Sequence, residues 1–172
     1  MTEVRRLSGD ECQQYLGALA GVLLDCVDGN ASVSFLWPFS RGEAEEFYAS
    51  VFDEVRKGKR ILLAAFLDGE LLGTVQIVTA MPPNQPHRAD VAKLLVKRSA
   101  RGHGVAAMLM DEAERAARSA GKTLLVLDTV VGGSAEKLYS RLGWTRVGVI
   151  PRYAMFPDRS WCDTAIFWKG LI

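Results

Sequence analysis

The stretch Val91–Ala107, VAKLLVKRSARGHGVAA, limits what this chain can fold into more than any other. Val91 to Val96 is an apolar run of strand character. A basic turn follows, then Arg101-Gly102-His103-Gly104-Val105-Ala106 and a helical pattern that continues to Ala120. A strand that turns through two glycines into a helix leaves the first-turn N–H groups unpaired at the positive end of the helix dipole. The glycines also let a ligand approach the backbone closely. Such a turn suits an anion, a phosphate or pyrophosphate above all. The same glycines serve equally to relieve a tight connection, so this stretch alone leaves both uses open.

The remaining sequence narrows the choice. A chain of 172 residues, 49% of them apolar, fits one globular domain spanning residues 1–172. Its 21 basic and 20 acidic residues leave a net charge of +1, which offers no bulk field for nucleic acid or a membrane surface; a small-molecule ligand fits better. Cys12, Cys26 and Cys162 are far apart and lack metal-ligand spacing, and MTEVRRLSGDE carries no apolar signal region. The reading is a cytoplasmic protein with reduced thiols, no metal, and apolar runs too short to span a bilayer. A homodimer is left open.

Hydrophobic periodicity predicts a short strand over 3–7 and a helix from the Ser8/Glu11 capping box to about Val27. A second capping box, Ser40/Glu43, starts a helix that ends near Gly58. Strands over 60–67 and 71–79 flank Asp68-Gly69, a hairpin signal. Further strands are expected over 88–96, 123–129, 144–149 and 163–168, with helices from the glycine turn to Ala120 and over 135–142. A dinucleotide fold must be weighed, because Gly102 to Ala107 satisfies G-x-G-x-x-G/A and Asp128 lies about 20 residues beyond. Against it stand the residues between strand and first glycine, the antiparallel hairpin that comes first, and the short remaining chain.

Taken together, LLV, RGHGVA, LVLDT and AEKLYSRLGW resemble the GNAT superfamily of acetyl-CoA-dependent N-acetyltransferases, over roughly residues 60 to 150. The family signature (Arg or Gln)-x-x-Gly-x-(Gly or Ala) is met by Arg101, Gly104 and Ala106. A second mark, Ala-x-x-x-Tyr-x-x-x-Gly-(Phe or Trp), is met by Ala135, Tyr139, Gly143 and Trp144. Gly132 departs from it, since many members carry there an Asn that touches the cofactor. A narrower likeness, to members that act on a small amine-bearing toxin, runs through RADVAKLLV, ASVSFLW and PDRSW. The resemblance implies an α/β (α+β) fold, a mixed, twisted sheet of about seven strands flanked by four helices. It also implies acetyl-CoA as cofactor, a primary amine of a small molecule as acceptor, and an acidic pair near the acyl group, falling on Asp90 and Asp128.

With acetyl-CoA as ligand, residue roles follow. The pyrophosphate would sit on the N–H groups of Gly102, His103, Gly104, Val105, Ala106 and Ala107, with charge from Arg101. Leu94, Leu95 and Val96 would pair by backbone hydrogen bonds with the pantetheine arm, provided that their strand splays from its parallel neighbour. The acceptor must react as free base, and deprotonating a Lys-like amine at pH 7 costs about 4–5 kcal/mol. Asp90, Asp128 or a water relay would take that proton; alternation puts Asp90 on the face of Leu94 and Val96, and Asp128 on that of Leu124 and Val126. Either Asp has a competing use, capping a turn or pairing with Arg88 or Lys93. Tyr139, by its family counterpart, would protonate the departing thiolate. Phe35, Trp37 and Tyr153 would wall the acceptor, core packing being the competing use of the loop aromatics. His87 and His103 read as structural, and Cys26 and Cys162 as inert. The competing functions are a non-catalytic acyl-CoA-binding sensor and a dinucleotide-binding protein.

Overall fold

The computed structural model describes residues 1–171. In chain order the elements are β1 (Glu3–Arg6), α1 (Gly9–Gln14), α2 (Leu16–Asp28), α3 (Arg41–Arg56), β2 (Arg60–Leu67), β3 (Glu70–Val78), β4 (Arg88–Val96), α4 (Val105–Ser119), β5 (Leu124–Val130), α5 (Ser134–Arg141), β6 (Thr145–Met155) and β7 (Trp161–Gly170), with a 3-10 turn at Arg98–Ala100. Both capping boxes form, Ser8 with Glu11 and Ser40 with Glu43, each satisfying two end donors of its helix. Asp68 and Gly69 both take positive φ, as a tight two-residue hairpin requires.

The seven strands make one sheet in the order β1-β2-β3-β4-β5-β7-β6. Every pairing is antiparallel except that of β4 with β5. Ile61, Leu63, Val75, Ile77, Leu125 and Phe167 meet Leu109, Ala113 and Leu138 on one face, under α4 and α5. Leu62, Ala64, Phe66 and Leu95 meet Leu23, Tyr48 and Phe52 on the other, under α1 to α3. Among the described residues no helix is long and apolar enough to cross a membrane.

Two expectations need correction. The sheet has five flanking helices rather than four, because the first predicted helix breaks at Tyr15, whose backbone leaves helical geometry. There its ring packs on Phe66 with centroids 5.0 Å apart, and its hydroxyl accepts from Arg5 Nη2 at 3.1 Å. The strand predicted over 144–149 runs on to Met155, because register shifts in this edge strand absorb Pro151 and the positive φ of Arg152.

The feature that positions the site is a bulge in β4. Gln76 faces Ala92, yet two residues back along β3 Thr74 faces Leu95, so one extra residue is inserted near Lys93, whose φ is +53°. Ala89 and Val91 point to the α4 side before the bulge; after it Leu94 and Val96 do, while Leu95 points to the other side. Asp90 therefore does not share a face with Leu94 and Val96, as simple alternation predicted. The Asp128 half of that expectation holds, since its neighbours Leu125 and Leu127 are the ones packed under α4 and α5.

Gly73 lies against the distal half of β4, and a Cβ there would meet the Leu95 carbonyl oxygen at 2.7 Å. Gly73→Ala is expected to destabilise the protein by about 1–3 kcal/mol, the usual cost of overpacking, visible as a lowered melting temperature.

Candidate active site

The connection from β4 to α4 is built of backbone. Gly102 and Gly104 have φ of 82° and 80°, a left-handed conformation that side-chain-bearing residues adopt only at a cost. A Cβ at either would meet nothing within 4 Å, so the space over the turn is open. Gly104 is the N-cap of α4 and offers no side-chain hydrogen bond; the first helical bond runs from the Met108 N–H to the Gly104 carbonyl at 3.1 Å. The N–H groups of Val105, Ala106 and Ala107 are thus the free donors at the positive end of α4, and His103 is exposed beside them. Arg101 is folded back on its own turn: Nε donates to the Val96 carbonyl at 3.2 Å, and Nη2 lies 3.7 Å from Cys26 Sγ. Its charge remains at the turn, but its first use is to close it.

β4 and β5 pair only from Arg88↔Leu124 to Asp90↔Val126. Beyond that point they separate, and the β5-facing edge of Leu94, Leu95 and Val96 is left without a strand partner. The splaying that a pantetheine arm needs is present. The Val96 carbonyl is already engaged, by Arg101 and by Cys26 Sγ at 3.5 Å.

Where the strands part, a cavity of about 400 Å³ is lined by Val78, Arg88, Asp90, Val126, Asp128 and Tyr153 among others. It brings together the two carboxylates expected near the acyl group. Asp90 is ion-paired with Arg88, the partner foreseen as its competing use; Arg88 Nε also donates to Gln85 Oε1 at 2.8 Å. Asp128 is exposed to the cavity at the far end of β5. Tyr139, on α5, is buried between Trp144 and Phe167, with ring centroids 5.9 Å from each. Burial first, and the Asp128 carboxylate second, push its hydroxyl's pKa well above the ordinary value, so it holds its proton across the working pH range.

Of the three aromatics expected to wall the acceptor, only Tyr153 lines this cavity. Phe35 is spent on packing, 4.4 Å from Phe39 and 5.4 Å from Phe47 between ring centroids. Trp37 is half exposed, and its indole N–H donates to the Val27 carbonyl at 3.0 Å. Their loop is stitched to the β6–β7 turn: Asn30 and Asp158 exchange hydrogen bonds, and Ser32 Oγ donates to the Met155 carbonyl at 2.8 Å. Arg88 was not singled out as a site residue, although its place two residues before Asp90 on one strand was a legible signal. Lys93, expected only as a competing partner of an Asp carboxylate, lies beside the site as well. Its Nζ donates to Ser34 Oγ at 2.8 Å and lies 5.8 Å from the Phe47 ring; burial pulls its pKa down while Asp128 opposes the shift. At Gly132, where many relatives were expected to carry Asn, the backbone N–H donates to Glu136 Oε2 at 2.6 Å.

A model of the acetyltransferase (GNAT) family matches residues 30–144, well over half of the chain. The chain belongs to that family. It is an N-acetyltransferase whose acyl donor is acetyl-CoA, and the open glycine turn, free helix-end donors and parted strands fit that donor. Solved structures agree in fold. A proposed phosphinothricin N-acetyltransferase superposes with a TM-score of 0.82 at 19% identity, covering 100% of this chain and 99% of that one. The ribosomal-protein-alanine N-acetyltransferase of Brucella melitensis does so at 0.80 and 20%, covering 98% and 99%. A Salmonella typhimurium structure with its cofactor acetyl-CoA gives 0.79 and 16%, covering 99% and 94%. At such identities the likeness is one of fold, shared by chains whose names point to very different acceptors.

Proposed function

We propose that this acetyltransferase acts on the primary amine of a small molecule, held in the cavity between Asp90 and Asp128. The observation that carries the reading is that cavity itself. It is of small-molecule size, it opens where β4 and β5 part, and two carboxylates face it. The sequence likeness to tabtoxin resistance protein supports an amino-acid-like, antibiotic or toxin acceptor. The three unpaired cysteines support a reducing, cytoplasmic setting.

Acetyl-CoA, when bound, supplies the thioester from which the acetyl group is taken. The chain holds it through the N–H groups of Val105, Ala106 and Ala107 at the phosphate end and through the free β5-facing edge of the segment from Leu94 to Val96 at the other. Arg88 occupies Asp90 and fixes its carboxylate, which leaves Asp128 as the freer proton acceptor for the acceptor's ammonium. Tyr139 Oη is the proton donor to the leaving sulfur by its match to the family's tyrosine. The raised pKa makes it a weak acid and makes the tyrosinate a strong base, which regains its proton from the acylated nitrogen.

The test is a screen of small amines, amino acids and N-terminal peptides for thiol release from acetyl-CoA. Turnover confined to peptide or protein N-termini would end the small-molecule reading. Tyr139→Phe is expected to be slow rather than dead. A thiol of pKa about 8.5 is a tolerable leaving group at neutral pH, so its acid contributes on the order of 10²–10⁴ in rate. Acetyl-CoA affinity should change little, because Leu138 and the ring's own packing keep α5 in place. Single-turnover rates measured beside melting temperatures check this; a normal rate with lowered stability would make the hydroxyl structural.

A further inference from the structure

The glycine turn does not stand by itself; the end of α2 holds it. The N–H of Arg98, at the start of the 3-10 turn, donates to Asp25 Oδ2 at 2.7 Å, and Arg98 Nε donates to Asp25 Oδ1 at 2.9 Å. One residue on, Cys26 Sγ reaches the Val96 carbonyl, which also accepts from Arg101. Gly29, just past the helix, leaves the space that the Arg98 side chain crosses: a Cβ there would lie 2.8 Å from Arg98 Cδ. The segment from Val96 to Arg101, which delivers the chain to Gly102 and Gly104, is therefore fixed at both ends by α2. Burial pushes the Asp25 carboxyl up, but the hydrogen bonds from Arg98 outweigh it and hold the group below the usual carboxylate range.

We infer that Asp25, which does not line the cavity, is the positioning residue for the acetyl-CoA turn, setting through Arg98 the height and tilt of the free N–H groups at the start of α4. Nothing in its sequence context marks it, since it sits 73 residues before its partner. A backbone anion site depends on donors converging within a few tenths of an ångström, and two glycines of positive φ cannot supply that rigidity themselves. A carboxylate with two hydrogen bonds to one residue can. The inference rests on the family's use of acetyl-CoA and is independent of the acceptor's identity.

The test is Asp25→Ala, with Asp25→Asn and Asp25→Glu beside it. Three things are measured: the Kd of coenzyme A by calorimetry without acceptor, KM and kcat with any amine that is turned over, and the melting temperature. Asp25→Ala should raise the coenzyme A Kd and the acetyl-CoA KM about tenfold, while kcat at saturation and the acceptor KM stay within about twofold. Asp25→Asn keeps an acceptor for the Arg98 N–H at the same reach and should recover binding to within about threefold. Asp25→Glu, charged but one methylene too long, should bind about fivefold more weakly than wild type. A purely structural residue would lower the melting temperature in all three and leave the Kd of the folded protein unchanged, and that result overturns the inference. If Asp25→Ala does not fold, wild-type coenzyme A affinity in both Asn and Glu variants overturns it equally.

Discussion

Gly104→Asp is expected to fold and to lose acetyl-CoA. The new side chain has open space around its Cβ, so no clash arises. Its cost is the left-handed φ of 80°, about 1–2 kcal/mol for a side-chain-bearing residue, and Asp is among the residues that tolerate it best. Against that cost, Asp at the N-cap is better than Gly by only a few tenths of a kcal/mol, and the left-handed backbone there is not the extended one that side-chain capping uses. Stability should therefore fall by about 1–2 kcal/mol, which a folded domain tolerates. The same carboxylate would stand at the free N–H groups of the helix end, where the pyrophosphate is proposed to bind. Like charges about 4 Å apart in a site near the surface repel by about 4 kcal/mol, or roughly a thousandfold in Kd. Gly104→Ala is the control, since it carries the strain without the charge and should weaken binding far less. Calorimetry with coenzyme A checks both; unchanged affinity in folded Gly104→Asp would mean that the phosphates lie elsewhere.

Asp128→Asn should produce the second large loss, and one that depends on pH. An amine of pKa about 10.4 is almost wholly protonated at pH 6 to 7, and the free-base fraction falls tenfold for each unit below the pKa. A carboxylate at the reacting amine offsets part of that cost, so its removal should lower kcat/KM on the order of 10²–10⁴ near neutrality. The deficit should shrink as the pH rises toward the amine's own pKa, where the acceptor arrives deprotonated. Asp90→Asn should cost less, because Arg88 already occupies that carboxylate. Wild-type pH–rate profiles in both variants would make the acidic pair structural and leave the proposed acceptor chemistry without a base.

The elements were legible in the sequence because their signals are local. Two capping boxes, one Asp-Gly hairpin and runs of strand character fixed most boundaries within a few residues, and the two family marks fall on the turn and on α5. What sequence reading lost was set by tertiary contacts. Tyr15 broke a continuous helical pattern because its ring had Phe66 to meet. Phe35 looked like a cavity wall and is core, since Phe39 and Phe47 close around it. Arg101 matches the signature, yet its guanidinium turns inward to Val96 and Cys26, a use that no spacing announces. Asp25 could not be found from the sequence, because its meaning lies in the distant segment that it holds.

The extra residue near Lys93 acts on β4 much as an insertion acts on a reading frame. Upstream of it, Arg88, Asp90 and Ala92 line the cavity, where recognition would be written in side-chain chemistry. Downstream, Leu94 and Val96 anchor in the core under α4, and what the strand offers across the gap is its main chain, which any sequence of suitable packing supplies. One strand would thereby serve two substrates in two different alphabets. On the proposed function, substitutions on the upstream half should alter which amine is admitted while leaving acetyl-CoA affinity unchanged.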